Sequence, residues 1–331
     1  MASPDVDIIV ANKTAKAHLV RCLEYIYGQV YDGRIHTTVV DNHSMDGSTF
    51  GVNSRYPQVQ LFENEVDTGQ AAAFNLALAH SDSPYVLFLS SDCELEPTFV
   101  GEQVAAMEGG PKIGGLAGHL ISTRETMRTE LTDSAGIGLK GVEPILLGNG
   151  RRLDPLEDKP REVFGPAGAA MFYSRECLEN VAPDGMVFDE DLNFRHLDVD
   201  LAWRARWLGW KFWYNPKAVA AHHRGQIYVK DPERRVDMQR MTIRNHYLVY
   251  RKNLLFDGWR DYKGKLKAAV RSDVMAFGKL HGVGQGAGLW VNIRAAEPSM
   301  IKKNRALERR ATVAPDSLYR EIFSSKALSQ R

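Results

Sequence analysis

Polar residue types suited to holding phosphate or a metal ion recur at four points in the first hundred residues, each directly after a short apolar run. Asn12 follows the first run, and Asp41, Asn42, Ser44 and Asp46 follow the second. Gly69, Gln70 and Asn75 follow the third, and Ser90, Ser91, Asp92, Cys93 and Glu94 the fourth. Any one cluster reads as ordinary turn and cap chemistry, which favours Asp, Asn, Ser and Gly. Four in succession point to one shared site. Asp92 is the best-placed ligand for a hard divalent cation bound to a diphosphate, with Glu94 two residues on. A lone aspartate makes a weak metal site, and "AVAAHH" offers His222 or His223 as a second ligand at the end of another apolar run. The alternative for His222 is a hydrogen-bonded core histidine.

The stretch "RHLDVDLAWRARWLGW" (195–210) sets Asp198 and Asp200 two positions apart. On a helix over 198–208 they point to nearly opposite sides, so they cannot serve one site together. Asp200 and Arg204 are four apart and can pair along the helix surface. Asp198 lies in the first turn, where the helix dipole stabilises its charge and where it could equally cap the helix. It is the better base of the two. Val199, Trp203, Trp207 and Trp210 share a broad face that reads as core.

These residues need a scaffold that brings strand ends together. Strand-like runs at 6–11, 35–41, 59–64 and 84–90 alternate with helix-like segments at 15–29, 69–80 and 98–107. Such short alternation implies a mainly parallel sheet covered on both faces, with ligands at the carboxyl ends of its strands. Residues 110–165 are glycine-rich and less periodic, and read as a strand, a mobile excursion and a return strand. Helix then strand follow through 222. Beyond 235 the pattern is helical and basic to about 325, broken by the glycine-rich "FGKLHGVGQGAGLW" at 277–290.

With 331 residues, 44% hydrophobic and 25% charged, the composition is that of a globular chain. The net charge of +1 hides an asymmetry, since residues 251–331 hold 17 Lys and Arg against 7 Asp and Glu. This region suits an anionic neighbour such as a membrane surface, or it is a solvated helical cap or an oligomer contact. It carries no recognition motif for nucleic acid. Cys22, Cys93 and Cys177 form neither a disulfide framework nor a spaced zinc cluster, and the first residues lack a signal-peptide pattern. The expectation is a cytoplasmic protein, peripheral at the inner membrane face if the basic region binds lipid.

Seven blocks in order over residues 5–225 resemble the family 2 glycosyltransferases of the GT-A fold, in their rhamnosyltransferase-like branch. They run from Ile8 to Asn12, Val39 to Ser48, Gly69 to Asn75, Phe88 to Asp92, Gly165 onward, Asp198 to Arg204 and Pro216 to His222. The resemblance implies an α/β GT-A fold with a mainly parallel mixed sheet between helices. The catalytic domain would span 1–235, divided at 110 into nucleotide and acceptor halves, with a helical basic extension over 236–331. It also implies an inverting transferase moving sugar from a UDP- or dTDP-sugar to a hydroxyl of a glycan or polyprenyl-linked acceptor. Asn12 and Asp41 would lie against the nucleoside, with Asn42, Ser44, Gly69, Gln70, Asn75 and Ser91 as further nucleotide contacts. Asp92 and His222 would hold Mn2+ or Mg2+, and Asp198 would deprotonate the acceptor. Gly165, Glu94, Arg204 and His223 are candidate contacts to acceptor or phosphate.

Three positions depart from the family pattern. Ser90 stands at the first D-x-D carboxylate, Leu197 at the glutamate before the base, and Ala11 at the tyrosine before Asn12. Ser90 and Leu197 open the alternative of a degenerate nucleotide-sugar binder, against which Asp92, Asp198 and His222 stand together. A sugar nucleotidyltransferase would carry a glycine-rich basic loop after the first strand, and "VANKTAKAH" is a poor match.

Overall fold

In a computed structural model of the chain, residues 3–110, 112–124, 127–154, 158–224 and 232–323 are described. The elements run β1 (Val6–Asn12), α1 (Lys16–Tyr27), β2 (Ile35–Asn42), α2 (Val52–Arg55), β3 (Gln60–Asn64), α3 (Gln70–Leu78) and β4 (Tyr85–Ser90). Next come β5 (Cys93–Leu95), α4 (Phe99–Met107), β6 (Ile113–Arg124), β7 (Met127–Ser134), β8 (Ile137–Lys140), β9 (Glu143–Leu146), β10 (Arg161–Val163) and β11 (Ala170–Ser174). The chain continues with α5 (Arg175–Val181), α6 (Leu197–Trp207), β12 (Lys211–His222), α7 (Pro232–Asn253), α8 (Gly258–His281), α9 (Val283–Glu308) and α10 (Pro315–Phe323).

The main sheet is ordered β10-β12-β6-β11-β4-β1-β2-β3. β1, β2, β3 and β4 pair in parallel, as do β6 and β12, while β11 runs antiparallel between β4 and β6. Central β1 is apolar from Ile8 to Ala11 because both its faces are covered, as a parallel strand between helical layers requires, and its one buried charge, Asp7, is paired with Arg175. α1 buries Leu19, Cys22, Leu23 and Ile26, the helical spacing of one apolar stripe.

Two pairings decide where the polar residues go. The parallel register sets Asn12 beside Asp41 and Ala11 beside Ser90, so the ends of β1, β2 and β4 share one edge. Short β5 then pairs antiparallel with the end of β12, opposing Cys93 to His222. That brings together residues 92 and 222, far apart in the chain.

The segment read as a mobile excursion is instead largely strand. β6 continues to Arg124 and returns as β7, and β8 and β9 form a two-stranded hairpin. Backbone pairing, absent from any hydrophobic periodicity, organises it. The glycine-rich break also narrows to one residue, Gly282, at a φ of 105° between α8 and α9. The neighbouring glycines serve packing: a Cβ on Gly286 would stand 3.0 Å from the Cα of Gly278, where the two helices cross. Leu248, Leu266, Ile293, Leu307 and Ile322 from the C-terminal helices join Val199, Trp203 and Trp207 in one apolar core.

Candidate active site

A cleft of about 510 Å³ opens at the carboxyl edge of the sheet. Asn12, Asn42, Gly69, Gln70, Ser91, Asp92, Asp198 and His222 all line it. So do Ser90 and, in addition, Lys13, Asp67, Arg195 and Arg224, four residues that composition and spacing do not single out. Apolar side chains of Pro144, Ile145 and Leu146 on β9, and Met238 and Met241 on α7, form another part of the wall.

Several expected contacts do not reach the cleft. Asp41 is buried, and its carboxylate accepts from Asn12 Nδ2 at 2.7 Å, Ser44 Oγ at 2.6 Å and Ser44 N at 2.8 Å. Asp41 and Ser44 thus shape the loop beneath Asn12. Asn75 ties α3 to the chain before α6, exchanging bonds of 2.9 and 2.8 Å with the backbone of Phe188. Glu94 is enclosed by Arg21 at 2.6 Å and His223 Nε2 at 2.7 Å, so both Glu94 and His223 are spent on internal partners. Gly165 lies against α6, where a Cβ would stand 2.4 Å from that of Ala202. Arg204 is buried and donates to Asp200 at 2.9 Å and to the Val187 carbonyl at 2.6 Å. Of its two readings, the pairing with Asp200 is the one present.

Gly69 caps α3 at a φ of 85°, where a Cβ would meet Asn193 Oδ1 at 2.0 Å. Only glycine fits that approach. Asn42 accepts from Asn64 and Thr68 and donates to the Gly69 carbonyl, fixing the two loops to one another.

Asp92 is buried and accepts a hydrogen bond from Ser90, so the serine at the first D-x-D position orients the carboxylate. His222 Nε2 stands 3.4 Å from Asp92 Oδ1, and its Nδ1 stands 2.9 Å from Asp133 Oδ2. Arg224 holds Asp133 with bonds of 2.6 and 2.8 Å. Burial disfavours the imidazolium, but Asp92 and Asp133 outweigh it and push the His222 pKa up to about 9. Burial likewise opposes ionisation of Asp92; the charge and hydrogen bond of His222 prevail and hold its pKa well below the carboxylate range.

The donor set fits a divalent cation. Asp92, Cys93 and His222 present ligand atoms within 4.8 Å of one another. A carboxylate suits a hard cation such as Mg2+ or Mn2+, and an imidazole adds affinity for a transition metal. Cys93 contributes less, because its thiol points to the Ala169 carbonyl at 3.3 Å and burial pushes its pKa well up.

Asp198 opens the first turn of α6 and faces the cleft, while Asp200 faces the core. Asp198 Oδ2 accepts from the Gly168 amide at 2.8 Å and Oδ1 from the Val199 amide at 2.9 Å. A Cβ on Gly168 would lie 3.2 Å from Asp198 Oδ2. Burial raises the Asp198 pKa against these amides, making it a stronger base than an exposed aspartate.

The sequence model described as "Glycosyl transferase family 2" matches residues 7–181, more than half of the chain. An N-acetylglucosaminyltransferase of Azorhizobium caulinodans is 29% identical over 125 residues, 36% of this chain and 31% of that protein. An uncharacterized glycosyltransferase of Mycobacterium tuberculosis is 28% identical over 118 residues, covering 35% of this chain and 45% of its own. The match therefore spans less than half the length of these curated relatives. GalNAc-T7, solved with UDP, GalNAc and Mn2+, superposes with a TM-score of 0.61 at 15% identity, over 82% of this chain and 51% of its own. A mannosyltransferase from Pyrobaculum calidifontis, solved with GDP-Man and Mn2+, gives 0.52 at 16% identity, over 92% and 85%.

Proposed function

Because the chain belongs to glycosyl transferase family 2 and has the GT-A fold, we propose that it transfers a sugar from a nucleoside diphosphate sugar to an acceptor hydroxyl, with inversion. One observation carries the reading: a single cleft holds a cation-competent pair, Asp92 and His222, together with Asp198, a carboxylate of raised basicity. The donor is a UDP- or dTDP-sugar, with Asn12, Asn42, Gly69, Gln70 and Ser91 facing the nucleotide. dTDP-linked deoxyhexoses are the first sugars to assay, following the motif order of the rhamnosyltransferase-like branch.

In the reaction the acceptor oxygen bonds to the anomeric carbon as the bond to the diphosphate oxygen breaks. The acceptor proton passes to the Asp198 carboxylate, and the nucleoside diphosphate leaves with the electron pair. Mn2+ or Mg2+ held by Asp92 and His222 would neutralise charge on the departing diphosphate. Base catalysis of this kind contributes about 10²- to 10⁴-fold. The apolar wall of Pro144, Ile145, Leu146 and Met241, with Leu197 replacing a carboxylate, supports a polyprenyl-linked glycan as acceptor. The catalytic unit covers 1–235, its first 110 residues serving the nucleotide, and the basic region of 236–331 rests on an anionic membrane face.

A thermal-shift panel of UDP, dTDP, GDP and ADP, each with and without Mn2+, tests the reading, since a ligand of the native state raises its stability by mass action. One pyrimidine diphosphate is expected to stabilise the chain in a Mn2+-dependent way that Asp92→Asn loses. No stabilisation by any of the four removes the glycosyltransferase reading.

A further inference from the structure

Behind His222 lies a relay of two side chains that the proposed chemistry does not use. Asp133 is 2% exposed and sits near the end of β7, across β6 from His222. Its position in the ladder is particular. Leu120 pairs with Ser134 and Ile121 with Thr132, so Asp133 is the extra residue of a β-bulge. Bulges re-aim side chains, and here the carboxylate is turned onto the imidazole. Its Oδ2 accepts from His222 Nδ1 at 2.9 Å, and Arg224 grips both of its oxygens at 2.6 and 2.8 Å. A guanidinium fork of this kind fixes a carboxylate in orientation as well as position.

The consequence falls on the other ring nitrogen. The hydrogen bond made by one imidazole nitrogen decides the tautomer and leaves the second free to bind. With its Nδ1 proton engaged by Asp133, His222 turns Nε2 toward Asp92, 3.4 Å away. We propose that Asp133 is a positioning residue, presenting His222 Nε2 to a divalent cation on Asp92, with Arg224 holding Asp133 for that task. The proposal rests on Asp92 and His222 being the cation donors.

The test is Mn2+ binding without nucleotide, read as loss of the free-ion EPR signal, for wild type, Asp133→Asn, His222→Gln and the double variant. Asp133→Asn is expected to weaken Mn2+ binding about 10- to 100-fold, the usual cost of losing a ligand's supporting carboxylate. In the His222→Gln background the same change is expected to add less than about 2-fold, because nothing remains to be positioned. Wild-type affinity in Asp133→Asn, or losses that multiply in the double variant, would overturn the inference while leaving the cation site intact. A wild type that takes up no Mn2+ sinks the cation reading and the inference with it. If Asp133→Asn does not fold, the wild type alone decides through its 15N imidazole spectrum with Mg2+, His222 being assigned by its absence in His222→Gln. With Mg2+ added, loss of the Nε2 proton with Nδ1 still protonated supports the proposal, and a proton retained on Nε2 overturns it.

Discussion

Asp198 and Asp200 differ by two positions and by everything around them. Asp198 meets two backbone amides and the cleft, while Asp200 meets Arg204, Lys252 and Asn253 in the core. Asp198→Asn is expected to cut kcat about 10²- to 10⁴-fold while nucleotide-dependent thermal shifts stay as in wild type. Equal loss of both would assign Asp198 to structure. Its raised pKa fixes two signs. The acid limb of kcat/KM should lie above the ordinary carboxylate range; a limb within that range would put the base elsewhere. The folded chain also keeps the Asp198 proton to higher pH than the unfolded chain, so stability falls as pH rises through the window between the two pKa values. Above that window the buried charge is a cost, and Asp198→Asn should raise the melting temperature at pH 7.

At the scale of elements, α6 owes its placement to an ion network that a residue pattern cannot display. Lys252 on α7 donates to Asp189 at 2.7 Å and to Asp200 at 2.9 Å, and Lys303 on α9 joins at Asp189 and Asp191. Burial opposes ionisation of Asp189, but Lys252 and Lys303 outweigh it and hold its pKa well down. Stability from this contact is therefore present above the unfolded carboxylate pKa and is lost as pH falls through the folded one. Lys252→Met removes the cation shared by two buried carboxylates, which keep Lys303 and Arg204 as partners, and is expected to cost about 1.5–3 kcal/mol in urea unfolding at pH 7. A cost below about 1 kcal/mol would show that water already screens the network. Gly69→Ala should cost about 1–3 kcal/mol from backbone strain and, by displacing Asn193, weaken nucleotide binding as well.

For the molecule as a whole, no helix of the described residues is long and apolar enough to cross a membrane. α8 exposes Lys263, Lys265, Arg271 and Lys279, each capable of about 1 kcal/mol beside an anionic surface. Co-sedimentation with anionic liposomes that disappears at high salt and with neutral lipid is the expected result; failure to bind at low salt removes the membrane contact. The amino-acid order alone determined the α/β alternation and the collection of strand-end polar residues along one edge, because parallel strands of a covered sheet must end together. It also determined that Asp198 and Asp200 diverge, because two helical steps turn a side chain to the far side. Which strand-end residues face the cleft was decided only by tertiary structure. Asp41, Asn75 and Glu94 have the types and spacing of site residues, yet each is consumed by a partner from a distant element. Asp133 shows the converse. Its place beside His222 depends on a bulge and on the pairing of β6 with both β7 and β12, and long-range pairing leaves no local signature.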